Sequence, residues 1–453
     1  MGKNILAIEK IPKLLLRFSI PAIISGLVSA LYNIVDQIFI GQSVGVLGNA
    51  ATNVAFPLVT VCLATSLLCG IGTASNFSLC QGRGEDEKAK KIVGNGIFFA
   101  TVLGLIISII VFLFLDNLLY FFGSTEKIFP YARTYTGITN FGIPFIILST
   151  VMSFIIRADG SPKFSMISIL SGALANTILD PIFIFGLNMG IAGAAWATVI
   201  GQIISFCCVI YYLFYKMKSF KVTKEILFSP SLDLIKNIIF LGMGPATNQL
   251  AMMIVQITLN NVLMYYGERS IYGGAIPLAC VGIITKINII FISIIIGIAQ
   301  GAQPIIGFNY GAKNYERVKE TFKIMLGTGI TISTLAFLIF QIFPRELTSI
   351  FGDGTEEYFI FAEKYFKIFM GLTFLNAVQP MCGNFFTAIG RAKIGMIVSI
   401  TRQILFLLPM IVIFPKFLEI DGVLYAGPVA DFISFLMASF LVRREIKRME
   451  NMN

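Results

Sequence analysis

This 453-residue sequence predicts an all-α membrane protein with twelve transmembrane helices in two parallel-related six-helix bundles. Three observations lead there. The chain is 56% hydrophobic and 13% charged, with a mean hydropathy of +0.84. That is too little charge to cover a soluble protein of this length, so lipid surrounds most of it. Apolar runs of membrane-crossing length recur twelve times. The chain also aligns with itself when shifted by about 229 residues, the mark of a duplicated unit.

A bilayer core about 30 Å thick takes roughly 20 apolar residues per helix. Runs of that size fall near 14–41, 50–79, 92–115, 129–156, 163–187, 191–215, 236–266, 275–308, 318–343, 358–388, 393–418 and 422–446. Several exceed the minimum, which implies tilt or extension beyond the bilayer. The net charge of +10 comes from basic residues in short pieces between apolar runs, so it reports topology rather than nucleic-acid binding. Of 34 Lys and Arg, 25 fall on the side that carries both termini, among them Lys3, Lys10, Lys13, Arg17, Lys216, Lys218, Lys221 and Lys224. The other side holds seven. The positive-inside rule then places both termini in the cytoplasm and the chain in the cell membrane. The first apolar run follows Lys3, Lys10, Lys13 and Arg17 without a small-residue cleavage site and is expected to stay as the first span. The seven Cys show no metal-ligand spacing and read as small core residues. The absence of His removes imidazole relays and Ser-His-Asp triads.

The internal match divides the chain into an N-terminal lobe (1–215), a cytoplasmic linker (216–236) and a C-terminal lobe (237–453). Gly82–Lys90 falls on Gly311–Lys319, and Gly193–Ala197 falls on Gly422–Ala426. Gly160, Lys163 and Met166 fall on Gly390, Lys393 and Met396 with one residue more of offset, and Pro21-Ala22 falls on Pro245-Ala246. An even number of spans per half makes the repeats parallel, related by an axis along the membrane normal.

Ionisable groups inside a bilayer are costly, so each is a functional candidate. Asp36 lies in Tyr32-Asn-Ile-Val-Asp36 of span 1, and Asp180 in Asn176-Thr-Ile-Leu-Asp180 of span 5, followed by Pro181. Span 6 adds Ala194 and Thr198. Tyr32 and Asp36, Asn176 and Asp180, and Ala194 and Thr198 are i,i+4 pairs, each on one helix face. Two carboxylates, an amide oxygen, a hydroxyl and a backbone carbonyl make a hard oxygen set suited to Na⁺. The same acids, desolvated, can instead carry protons. The plain alternative is interhelical polar glue, with Pro181 kinking span 5. In the second half, Lys286, Arg402 and Asp431 stand near mid-span, and a Lys286–Asp431 or Arg402–Asp431 pair would relieve the cost of isolated charges. Gln256 and Asn260 add polar groups on span 7.

At Asp36, Asn176, Asp180, Ala194 and Thr198 the chain resembles the multidrug and toxic compound extrusion (MATE) family of drug/cation antiporters. The resemblance covers essentially the whole length. It implies that these five residues form an N-terminal cation site, with Tyr32 in support. Some family members also carry acids on spans 7 and 10. Here those spans hold Gln256, Asn260, Asn261, Asn376 and Gln379, with Glu363 nearer the outer end, so a second cation site of that type is not expected.

The expected function is a secondary active antiporter, not an enzyme. It would export amphipathic, often cationic, organic compounds against an inward flow of Na⁺ or H⁺, with no other cofactor. No GxxxxGK[ST] nucleotide loop is present. Expected partners are small drug-like molecules and membrane lipids, without nucleic acid, and the monomer is the expected unit. The alternatives are a lipid-linked oligosaccharide flippase, which needs several basic groups in its cavity, an intramembrane enzyme, which needs acid-rich metal clusters, and a channel.

Overall fold

The computed structural model describes residues 5–227, 229–350 and 354–452. Lys3 lies outside them, as does the side chain of Lys224. Among the described residues there are helices and no strands. Eleven helices are long and apolar enough to cross a membrane. In chain order we label the crossings α1 (Ile11–Val44), α2 (Val46–Arg83), α3 (Asp86–Phe121), α4 (Phe129–Ala158), α5 (Pro162–Gly186), α6 (Ile191–Tyr215), α7 (Leu232–Gly267), α8 (Ala275–Gly311) and α9 (Tyr315–Ile342). The tenth crossing, α10 (356–388), is interrupted, and α11 (Ala392–Ile413) and α12 (Pro415–Glu450) complete the set.

The sequence reads span 10 as one apolar run, but the structure breaks it. Helix Glu356–Lys364 passes into a π turn (Tyr365–Phe369) and a 3-10 turn (Thr373–Leu375) before helix Val378–Ala388 resumes. Met370 (C-cap, φ −95°, ψ 14°) and Leu372 (φ −116°, ψ 24°) leave helical geometry, and the Thr373 hydroxyl donates to the Met370 carbonyl at 2.7 Å. Broken crossings are tolerated in a bilayer only where the freed backbone groups are buried in protein.

The duplication is visible in the backbone. Left-handed positions recur at a separation of about 229 residues: Gly45 and Gly273, Gly84 and Lys313, Gly160 and Gly390, Gly190 and Glu419. Gly190 (φ 55°, ψ −132°) and Glu419 (φ 51°, ψ −138°) share a conformation open in practice only to glycine. The second copy therefore holds strain that the first does not. Because Glu419 is exposed, Glu419→Gly is expected to raise unfolding stability by about 1 kcal/mol. An unchanged or lower melting temperature would refute the strain.

The halves meet through close helix approaches near the side that carries the termini. A Cβ at Gly72 of α2 would lie 2.1 Å from the Ile238 carbonyl oxygen of α7, and one at Gly301 of α8 would lie 2.6 Å from Ser19 Cα of α1. The repeat-related Gly82 and Gly311 touch each other, the Gly311 Cβ position being 3.2 Å from Gly82 Cα. Equivalent residues meet only near the pseudo-two-fold axis, so the axis passes between α2 and α8. Gln303 donates to Ser75 at 2.7 Å and Arg157 to Gln300 at 3.0 Å across the same seam. Beneath it, Arg317 donates to the Leu6 and Glu9 carbonyls and pins the short helix Ile5–Ile8.

Residues after α6 are tied to the N-terminal bundle by Asp159. Its carboxylate accepts from the Tyr212 hydroxyl (2.6 Å), the Lys218 and Ser219 amides (2.8 and 3.0 Å) and the Ser219 hydroxyl (2.5 Å). Burial pushes this carboxyl above the usual carboxylate range, and the four donors pull it partly back.

Candidate functional site

Asp36 lies two turns before the end of α1, on its buried face, one turn beyond Tyr32. Helix α5 loses regular geometry just after Asp180, where Pro181 precedes a π turn, Ile182–Gly186. A proline ring removes one backbone donor and opens the turn before it. Asp180 is fully buried there and Asp36 is 7% exposed. The two carboxyl groups lie within hydrogen-bonding reach of each other.

Asn176, one turn before Asp180, bridges the helices. Its Nδ2 donates to Asp180 Oδ1 and to Thr198 Oγ1 of α6, each at 3.3 Å. Ala194 is fully buried against Ile40 and Ile184, setting α6 close to α1 and α5 at this level. The structure thus gathers Asp36, Asn176, Asp180 and Thr198 into one cluster, with Tyr32 at its edge and Ala194 in the packing behind it.

Three buried oxygens of this cluster have no hydrogen-bond donor: Asp36 Oδ1, Asp180 Oδ2 and Asn176 Oδ1. An acceptor buried without a partner costs on the order of 1–3 kcal/mol, and more when charged. A monovalent cation could be coordinated by all three, and a proton shared between the two carboxyl groups would satisfy two of them, so the oxygen set suits Na⁺ or H⁺. Polar glue alone would leave them unmet.

Three further residues belong here. A cavity of about 80 Å³ at Asp36 is lined also by Tyr135, Thr139 and Gln202, and the Tyr135 hydroxyl reaches Thr198. Thr139 follows Tyr135 by one turn, a spacing visible in the sequence, but α4 carries no acid to draw attention to it.

In the second half the sequence candidates do not converge. Gln256 Nε2 donates to Asn260 Oδ1 at 2.9 Å within α7. Lys286 is exposed on α8, with no ion pair among the described residues. Asp431 instead accepts from Arg402 Nε at 2.5 Å, so of the two pairings the sequence allowed, Arg402–Asp431 forms. With its amide nitrogen turned inward, Asn376 donates to both Asp431 oxygens at 3.1 and 2.9 Å. The break in α10 places Asn376 there.

Asp431 is 4% exposed. Asp431→Asn would strand the Arg402 charge and is expected to destabilise the fold by roughly 3–5 kcal/mol. Arg402→Gln with Asp431→Asn should cost clearly less than the two single changes added. Additive melting shifts would show that the pair carries no coupling.

The MatE family model matches residues 21–182 and 249–413. The chain is 26% identical to the multidrug export protein MepA of Staphylococcus haemolyticus over 432 residues, 95% of this chain and 93% of that protein. It is 25% identical to MepA of Staphylococcus aureus over 440 residues, 96% and 94% of the two chains. Among solved structures, an outward-facing multidrug resistance MATE family transporter of the MOP superfamily superposes with a TM-score of 0.91 at 24% identity. It covers 100% of this chain and 99% of that one. A MOP superfamily transporter from Pyrococcus furiosus matches with a TM-score of 0.91 at 24% identity, over 99% of each chain. The structural matches show a shared fold.

Proposed function

Because the chain belongs to the MatE family, whose members are transporters and not enzymes, we propose that it is a cation-coupled multidrug efflux antiporter. Its substrates are amphipathic, often cationic, organic compounds. The coupling ion is Na⁺ or H⁺, taken up at Asp36, Asn176, Asp180 and Thr198, with the Ala194 carbonyl completing the set and Tyr32 in support. The lobes 1–215 and 237–453 rock about the seam, with residues 216–236 as their linker. The basic asymmetry of the loops supports cytoplasmic termini in the cell membrane, and the chain acts as a monomer. The names of the MepA relatives support drug export.

One observation carries the coupling: two carboxyl groups meet in a buried cluster, three of whose oxygens lack donors. A cation arriving from the side opposite the termini offsets one negative charge of the pair. That lowers the cost of enclosing it, which favours the state in which that side is closed. Drug release to that side precedes closure, and the ion gradient drives the cycle. The flippase reading is weakened because Asp431 occupies Arg402, leaving Lys286 as the exposed mid-span base.

The test is efflux of tetraphenylphosphonium from proteoliposomes with Na⁺ and H⁺ gradients imposed separately. Labelling of cysteines placed in the 216–236 loop by an impermeant reagent fixes the protein's orientation in the same vesicles. One of the two gradients is expected to drive efflux. If neither does, the antiporter proposal fails.

A further inference from the structure

At the seam, on the side of the termini, a small cavity of about 10 Å³ is walled by both lobes: Ser78 of α2, Phe154 and Arg157 of α4, and Gln300 and Gln303 of α8. That is about the room of one water, and a halide ion is little larger.

Arg157 is 5% exposed in the last turn of α4. Its guanidinium stays charged. Nη1 donates to Gln300 Oε1 at 3.0 Å across the seam, and the group lies over the Phe154 ring, 4.5 Å from the centroid. Neither partner carries negative charge. Two residues on, Asp159 has both oxygens engaged by Tyr212, Lys218 and Ser219. Among the described residues Arg157 therefore has an amide and a ring for company and no carboxylate. A buried cation without an anion is a costly arrangement.

The other free groups are donors too. The Ser78 hydroxyl is buried without a hydrogen-bond partner. Ser66, earlier on α2, spends its proton on the Cys62 carbonyl at 2.8 Å, the usual habit of a helical serine. Ser78 leaves its proton unspent. Gln300 has given its oxygen to Arg157, so its amide nitrogen remains. Gln303 spends its nitrogen on Ser75 at 2.7 Å. No acid lines the cavity. A water there would meet the hydrogen bonds and leave the charge.

The duplication shows that the fold does not demand this charge. In the register that aligns Gly160 with Gly390, Arg157 falls on Thr387, whose hydroxyl donates to the Gly383 carbonyl at 3.0 Å. In the register that aligns Gly82 with Gly311, Ser78 falls on Gly307. The second copy is neutral and satisfied where the first is charged and open.

We propose that this cavity binds a halide ion such as chloride, held by the Arg157 guanidinium, the Ser78 hydroxyl and the Gln300 amide. Phosphate and sulfate exceed the space. Because α2 and α4 belong to one lobe and α8 to the other, the site is complete only while the seam is closed on the side of the termini. Opening the seam carries Gln300 away and hydrates Arg157 and the anion. The halide is thus a removable brace on the closed seam, since a ligand that binds one of two states shifts the balance toward it. The acid cluster takes no part, so the coupling reading stands or falls separately.

The test uses the purified full-length protein, with chloride replaced stepwise by gluconate at constant Na⁺ and ionic strength. Chloride should raise the melting temperature saturably, bromide should replace it, and sulfate should give no saturable shift. At ten times its Kd, chloride should raise the ratio of closed to open seam about tenfold, read from the distance between labels on α2 and α7. Ser78→Ala removes one hydrogen bond to the anion and should weaken halide binding about tenfold. Arg157→Lys keeps the charge and should keep the halide shift at lower affinity, and Arg157→Gln should lose it. A plain Arg157–Gln300 latch would show no halide dependence in any variant. If Arg157→Gln does not fold, Ser78→Ala carries the mutational test, and anomalous scattering from bromide in crystals of the closed-seam state locates the ion. A peak between Ser78 and Arg157 supports the site. A saturable shift with no peak there overturns it, as does a wild type indifferent to halide, an undiminished shift in Arg157→Gln or unchanged affinity in Ser78→Ala.

Discussion

Asp36→Asn and Asp180→Asn should each give a folded, membrane-inserted protein in which gradient-driven efflux is lost. The expectation of folding has a specific basis. The residue that stands at the place of Asp36 in the second half is Asn260, and the repeat folds around it with a 2.9 Å hydrogen bond from Gln256. An amide is therefore an acceptable occupant of that position. The expectation of lost coupling follows from the three donorless oxygens. Replacing one carboxylate oxygen by an NH₂ group turns an acceptor into a donor and removes the charge that a cation or proton would neutralise. If Na⁺ is the ion, it should stabilise the wild type by about 1.4 kcal/mol at ten times its Kd, because a ligand stabilises only the state it binds. Both variants should lack that shift. If H⁺ is the ion, Na⁺ should have no effect, and drug affinity should vary with pH in a way that both variants lose. Gradient-driven efflux retained in the Asp36→Asn, Asp180→Asn double variant would sink the coupling proposal.

Gly72→Val is the second large effect. The Cβ it introduces would lie 2.1 Å from the Ile238 carbonyl oxygen and 3.1 Å from the Ile238 side chain. Backbone of the opposite lobe cannot yield as a side-chain tip can, so the lobes have to separate on the terminal side. Overpacking costs about 1–3 kcal/mol even where side chains can shift. A penalty of about 1.4 kcal/mol on one of two states changes their ratio tenfold. The variant should favour the state open toward the termini and should transport at a small fraction of the wild-type rate. A label pair spanning the seam, one on α2 and one on α7, should report a longer distance. Each lobe keeps its own core, so the protein should still be recovered folded. Gly327→Val is the control: nothing lies within 4 Å of a Cβ at Gly327, and it should behave as wild type. Wild-type transport by Gly72→Val would show that the seam does not need its close approach.

Much of the candidate site was legible because lipid makes acids conspicuous. Asp36 and Asp180 stand out in runs that are otherwise apolar, and helical periodicity attaches Tyr32, Asn176 and the Ala194–Thr198 pair to defined faces. Tyr135, Thr139 and Gln202 gave no comparable signal. Uncharged polar residues are common in transmembrane helices, and only packing says which of them face an acid. The Cys residues were read as core; five are buried, but Cys207 is exposed.

The class of solvent, the number of crossings and the duplication are all written in the sequence. These are one-dimensional properties: apolar run length is fixed by bilayer thickness, and a repeat is written at a constant offset. The sequence also named Lys286 and Arg402 as the two candidate partners of Asp431. That Arg402, and not Lys286, meets Asp431 is settled by the packing of the helices, because helix proximity is not encoded in spacing along the chain. Packing alone broke α10 near Met370 and Leu372, since an apolar run reads the same whether its backbone continues or turns. It alone brought Ser78 of α2 and Arg157 of α4 to one cavity against α8. Each of these depends on contacts between helices distant in sequence, where packing and pairing are settled in three dimensions.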